Sequence, residues 1–450
     1  ENALTFSFPR FDPLRGRPRV PSFYGLEVLQ AIDGVLPAFD ALTRRAHPGA
    51  AARLGYPAPD DPDQAIDAAE YDLSVLGRLK SGSAAERAGA ARYLLAADAH
   101  LARALRFRAR RWNVERFNTT DGFVASDAAV RAFVAERSLA RKAYAPTTLE
   151  HLSACPYRFF LAAFVGLPER ERASHSTGLS SGLRGMLVHA LQSRLLRAAS
   201  TGVPREDAYA GLASLAEQVE SELATVLAEL VPAAALREDP VVRSQAADVA
   251  RDVRQWLQQL ADEREYRPLA MELSFGLEKR EERDPRSVEE AVTLPGITLQ
   301  GAVDLVEERN GSPKPRLRVT DTKTSPFREG LGIVSGGRSL QPVLYALAVE
   351  QLFPNHQVEG TRLWYCTTRG DFRAHEVPLN TRTRSVAAAF LQHAEELVSK
   401  GVLVAAPAPN ACSACGYRSV CGPYEEERVA TVKGGDLVRL SALHRLRSLP

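Results

Sequence analysis

Gly301-Ala302-Val303-Asp304, followed closely by Val319-Thr320-Asp321-Thr322-Lys323, is the stretch that decides how this chain is read. Two apolar, alternating runs, 297–307 and 317–323, flank Asn310-Gly311-Ser312-Pro313. That pattern predicts two adjacent strands joined by a turn. Side chains alternate along a strand, so Asp321 and Lys323 project to one side and Thr322 to the other. Asp304, near the end of the partner strand, then stands beside them. Two carboxylates and one ammonium converging at a sheet edge are the groups that hydrolysis of a phosphate ester requires. The carboxylates hold a hard cation such as Mg²⁺, which lowers the pKa of a bound water and neutralises phosphate charge. The lysine orients the attacking water or stabilises the extra negative charge of the transition state.

An Asp-x-Lys at a strand end is by itself an ordinary solvated edge, and its surroundings change that reading. Residues 339–352 read as a helix tolerating Pro342 in its first turn, with Gln341 and Tyr345 on one face. Upstream, 182–198 is another apolar-periodic helix, carrying His189 four residues after Gly185. A lone helical histidine is commonly structural, but this one heads an ordered series: His189, Asp304, Asp321-x-Lys323, Gln341-x-x-x-Tyr345.

In that series the chain resembles the PD-(D/E)XK nucleases of the RecB-like branch, in which helix, strand, strand and helix carry these residue types in this order. The resemblance implies an α/β fold: a restriction-endonuclease-like core, with a mixed central sheet flanked by helices. It implies His189, Asp304 and Asp321 as ligands of Mg²⁺ or Mn²⁺, and Lys323 as the catalytic lysine. Gln341 and Tyr345 are implied as motif residues near the DNA. Val319 and Thr320 supply the strand expected before the Asp.

At 450 residues the chain is long enough for two or three domains, and 45% hydrophobic content fits a soluble globular class. A net charge of +2 carries no bulk signal for nucleic acid, so any basic surface must be local. There is no run of about 18 apolar residues and no signal peptide, so a cytoplasmic protein without membrane partners is expected. The chain begins at Glu1 without Met, which suggests a fragment or a processed form. It contains no Gly-x-x-x-x-Gly-Lys-Ser/Thr, hence no P-loop.

The expected organisation is a mostly helical N-terminal region over 1–143, a nuclease domain over 144–430 and a tail over 431–450. The strand-like run 4–10, with 15–19 and 21–23, resembles the end of the helicase-like part of AddB-type chains. Residues 45–80 read as a loop-containing connection. A long Ala/Arg helix over 83–116 ends in Arg106-Phe107-Arg108-Ala109-Arg110-Arg111-Trp112. Such basic and aromatic interleaving suits a phosphate backbone and stacked bases, although a solvated helix face explains it better. Thr147 and Glu150, behind Pro146, have the spacing of a capping box. A helical region over 205–265 is expected to cover the sheet or line the DNA channel, and 271–277 reads as the first strand. Glu272 on it reads as an exposed strand residue rather than an acidic contributor. A strand at 363–366 and a helix at 383–400 follow.

The second strong signal is Cys412-Ser413-Ala414-Cys415, with Cys421 six residues on, in a chain of five cysteines. Cys155, in a Cys-Pro-Tyr segment far upstream, is the fourth candidate. A disulfide framework does not suit a large chain with no sign of secretion. Structural zinc remains a rival, although Cys₄ zinc sites usually bring two close pairs. One distant cysteine before the core and three after it resembles AddB-type and certain CRISPR-associated nucleases. The resemblance implies a 4Fe–4S cluster on Cys155, Cys412, Cys415 and Cys421 that staples the domain's ends, and four thiolates suit such a cluster. Cys366 is left as a buried strand residue.

The family reading is therefore a metal-dependent DNA nuclease, cutting single strands exonucleolytically in double-strand-break processing. Its partner would be a helicase, either a separate polypeptide or a missing portion of the same chain. A stand-alone CRISPR-associated-type nuclease and a catalytically silent domain that binds DNA or a partner are the alternatives.

Overall fold

The computed structural model describes residues 11–12, 17–18, 21–38, 41, 58–124, 127–169, 178–200, 209–231, 233, 237–278, 280, 283–436 and 438–450. The strand-like run expected at 4–10 lies outside them. Contacts divide the chain into two units, 1–110 and 111–450.

The first unit holds the short pair β1 (Phe11–Asp12) and β2 (Arg17–Pro18) and the helices α1 (Phe23–Asp33), α2 (Ala68–Ser81) and α3 (Ala84–Ala97). Val75 of α2 packs with Ala90 and Leu94 of α3. The helix expected over 83–116 breaks at Asp98, whose carboxylate accepts from the N–H groups of His100 and Leu101 and so starts α4 (Ala99–Asn113). An aspartate there satisfies N–H groups that have no partner inside the helix. Arg111, in the basic stretch at its end, is buried and paired with Glu425, so that residue meets no phosphate.

The second unit contains two sheets. In the small one, β3 (Ala143–Tyr144) pairs in parallel with β6 (Ile297–Leu299), which pairs antiparallel with β5 (Val292–Leu294). The large one consists of β4 (Tyr266–Phe275), β7 (Gly301–Arg309), β8 (Arg316–Lys323), β9 (Gln357–Tyr365) and β10 (Ala374–Pro378). Its order is β10-β9-β8-β7-β4, antiparallel except for the β8–β9 pair. The run expected as one strand over 297–307 therefore splits at Gln300 between two sheets. β8 is the middle strand and not an edge, which corrects the expected position of Asp321 and Lys323.

Helices cover both faces, as the mixed-sheet expectation requires. The elements are α5 (Pro146–Ala154), α6 (Ser181–Ser200), α7 (Val219–Leu230), α8 (Pro240–Ala261), α9 (Gln341–Leu352), α10 (Thr381–Ser399), α11 (Glu425–Val432) and α12 (Ser441–Arg447). Val303 and Val319 pack with Val343 of α9 and Phe390 of α10 in one cluster. Leu305 and Trp364 pack with Leu191 of α6, Val226 of α7 and Trp256 of α8 in the other. A parallel pair needs a crossover, and α9 supplies it between β8 and β9.

Two further expectations change. Thr147 and Glu150 form no capping box: Ala145 precedes α5 without a side-chain cap, Pro146 takes its first turn, and Glu150 instead accepts the N–H of Leu340 at 2.9 Å. The stretch 431–450 is no loose tail, because Leu443 and Leu446 of α12 are fully buried in the first cluster. Burying a leucine contributes about 1.5–3 kcal/mol. Among the described residues no helix is long and apolar enough to cross a membrane.

Candidate metal centre and cysteine site

The register between β4 and β7 runs on unbroken here, Met271 facing Leu305 and Leu273 facing Val303, and so sets Glu272 opposite Asp304. Val303 and Leu305, two residues apart, lie in different core clusters, so β7 changes face at Asp304. Glu272 has φ 52°, a left-handed conformation that costs a non-glycine residue about 1–2 kcal/mol. Asp284 holds it: its carboxylate accepts the N–H of Met271 at 3.1 Å, and its own N–H donates to the Glu272 carbonyl at 3.2 Å. Irregularities of this kind re-aim side chains. Here His189, Glu272 and Asp304 each bring a ligand atom to within 4.8 Å of the other two.

Thr322 ties this cluster together. Its N–H and hydroxyl both donate to Asp304 Oδ2, at 2.7 and 3.0 Å. Its Oγ1 lies 3.2 Å from His189 Nδ1, which is 3.6 Å from Asp304 Oδ2. Alternation along β8 then sends Asp321 and Lys323 to the face covered by α9. Lys323 Nζ lies 2.5 Å from Asp321 Oδ2 and donates to Gln341 Oε1 at 2.7 Å. Burial pushes the Asp321 carboxyl up, the Asp304 charge adds to this, and Lys323 opposes it. Burial alone would lower the Lys323 pKa, but Asp321 more than offsets it, so Lys323 is an ammonium.

Gln341 starts α9, and Tyr345 lies one turn on with its ring buried. That ring fills the space beside Gly301, where a Cβ would stand 2.8 Å from it, and meets Phe275 edge-on. Gly301 is thus required by close packing.

Glu272 corrects the expectation of an exposed strand residue. Its side chain is 22% exposed, pairs with Arg283 at 3.2 Å and faces the cluster. Burial first, then the charge of Asp304, raises its carboxyl to about 7. No local pattern marks it; only the β4–β7 register sets it opposite Asp304.

At the other end of α5, Cys155, Cys412, Cys415 and Cys421 line one cavity of about 30 Å³. Cys366 is buried elsewhere, just past β9. Burial pushes the thiols of Cys412 and Cys421 up to about 12, and that of Cys155 up as well. Arg111 acts on Cys421 and Arg447 on Cys155 in the opposite direction. Four sulfurs around one cavity, with guanidiniums to offset thiolate charge, fit an iron–sulfur cluster or a metal ion bound by thiolates.

A mixed sheet whose central strands β7 and β8 carry Asp304, Asp321 and Lys323, with Glu272 on the adjoining strand β4 and His189 on α6, is the architecture of a nuclease core. Residues 143–422 match the PD-(D/E)XK nuclease superfamily, and the chain belongs to it. Over 262 residues it is 28% identical to an ATP-dependent helicase/deoxyribonuclease component of Moorella thermoacetica, covering 57% of this chain and 22% of that protein. The chain spans about a fifth of the length of that curated relative. These findings bear out the resemblance to the RecB-like branch and its AddB-type members.

Proposed function

We propose that this chain is a metal-dependent DNA nuclease that degrades single strands exonucleolytically, working with a helicase in double-strand-break processing. The observation that carries the reading is the meeting of His189, Glu272 and Asp304 within 4.8 Å on β7's flank, next to the Asp321–Lys323 pair. His189, Asp304 and Asp321, with Glu272 added, are the residues to hold Mg²⁺ or Mn²⁺. A divalent cation there supplies Lewis-acid chemistry and an activated water. Thr322 fixes the Asp304 carboxylate and the His189 ring. Gln341 aims the Lys323 ammonium, which donates to a phosphoryl oxygen as negative charge develops. Tyr345 backs Gln341 from within the core.

The cysteine cavity is proposed to hold a 4Fe–4S cluster on Cys155, Cys412, Cys415 and Cys421, with zinc as the rival. The helicase partner rests on the name of the Moorella protein and on the lack of a P-loop in this chain. The test is cleavage by the purified chain, with and without Mg²⁺, of labelled single-stranded and blunt duplex DNA. Mg²⁺-dependent loss of the single strand, with duplex cut more slowly and no ATP hydrolysed, is expected. Robust ATPase activity, or cleavage indifferent to chelator, contradicts the reading.

A further inference from the structure

Next to the reactive lysine lies a cleft of about 210 Å³, open to solvent between the end of β8 and the start of α9. Lys323 and Gln341 form its inner wall, and Arg328 and Arg338 its outer one. Ser325 and Ser339 add hydroxyls beside them. Both arginines are exposed, and among the described residues neither guanidinium is ion-paired. Arg338 uses only its Nε, donated to the Ser335 carbonyl at 3.1 Å. Glu329, next to Arg328, is taken by Arg373. The one carboxylate lining the cleft is Glu150, which is engaged by the Leu340 N–H and lies within electrostatic reach of Lys323. Two guanidiniums without an ion pair, beside the Lys323 that Asp321 already pairs, therefore face one carboxylate that is already engaged.

We propose that this cleft is a phosphodiester track: a single strand of DNA runs through it from the metal centre, with Arg328 and Arg338 each taking one phosphate. The proposal rests on the nuclease reading above and extends it to the flanking nucleotides. An open cleft beside the reacting groups is where the next phosphates of a bound chain must go. Guanidiniums bind phosphate oxygens through paired N–H donors, and serine hydroxyls suit the same acceptors.

The test is steady-state cleavage of an oligo-dT strand by the full chain in Mg²⁺, over a series of KCl concentrations. Each single-strand phosphate contact contributes about 0.7 to the salt slope. Arg328→Ala with Arg338→Ala should raise KM about tenfold or more, with a smaller change in kcat. The plot of log kcat/KM against log salt should become shallower by about 1.4, that is two contacts of about 0.7 each. Arg328→Lys with Arg338→Lys should keep most of the slope, while Arg382→Ala, on the exposed start of α10, should leave it unchanged. Wild-type cleavage with an unmoved KM and slope in the double alanine variant overturns the track alone. A folded wild-type chain that cuts no strand overturns the nuclease reading and the track together.

Discussion

Glu272 and Asp304 stand opposite each other in the β4–β7 register, and with His189 they give the candidate metal centre three sides. Asp321, Lys323, Gln341 and His189 are legible in the sequence because strand and helix periods show which of them share a face and their order resembles that of the family. Glu272 is not, since its aim depends on pairing register and on a left-handed φ that Asp284 holds. A fourth ligand implies that Glu272→Gln raises the Mg²⁺ concentration for half-maximal cleavage by about tenfold, while His189, Asp304 and Asp321 still hold the ion. Titrating Mg²⁺ into cleavage assays of both proteins checks this. An unchanged midpoint returns Glu272 to the role of a partner for Arg283.

The apolar alternation of β8 predicts a strand, but nothing local says that it lies in the middle of the sheet. There its other face needs partners, and Glu307 of β7 supplies them: fully buried, it pairs with Arg318 at 2.9 Å and Arg362 at 3.1 Å and accepts from Thr320 and Tyr209. Burial alone would raise the Glu307 carboxyl, but Arg362 and Arg318 more than offset it and hold it at about 2. A depressed carboxylate stabilises the fold above its unfolded pKa, here about 4.5, and that stability is lost as pH falls toward about 2. The shift corresponds to about 3 kcal/mol. Urea unfolding at pH 6 and pH 3 should show a fall in wild type that is smaller in Glu307→Gln. At neutral pH that variant should be less stable by about 3–5 kcal/mol, because two buried guanidiniums lose their fully buried partner and keep only the more exposed Glu263. An identical pH dependence in the two proteins would remove Glu307 as the cause. α5 makes the same point about context: its Thr147–Glu150 spacing reads as a local cap, yet Glu150 reaches across to Leu340 and the Lys323 cleft.

Across the whole second unit, α5 connects the two centres, with Glu150 near Lys323 and Cys155 at its end. That four distant cysteines belong together was legible from their spacing and the family resemblance; the charged groups around them were not. Asp121 is buried with Arg428 at 2.9 Å and Lys433 at 3.1 Å, and Glu425 joins Arg111 to Arg428. From α12, Arg447 donates to the carbonyls of Ser153 and Ala406, at 2.8 and 2.7 Å. The ends of the domain are therefore held by ion pairs and by the Arg447 hydrogen bonds, apart from any group the sulfurs would bind. A cluster closing a loop of about 250 residues adds on the order of 5 kcal/mol by restricting the unfolded chain. Protein carrying the cluster should be brown, and Cys155→Ala should lose colour, soluble yield and cleavage together, whereas Cys366→Ala should retain them. Iron and zinc analysis of anaerobically prepared protein decides the occupant, and one zinc without iron would hand the site to zinc. The proposed role of Lys323 in the reaction is decided by single-turnover cleavage of single-stranded DNA by Lys323→Ala in saturating Mg²⁺, with folding checked by circular dichroism. Removing a preorganised charge that acts on the transition state costs about 10²–10³ in rate, so a loss of that size or greater in a folded, DNA-binding variant is predicted. Cleavage near the wild-type rate would contradict the account.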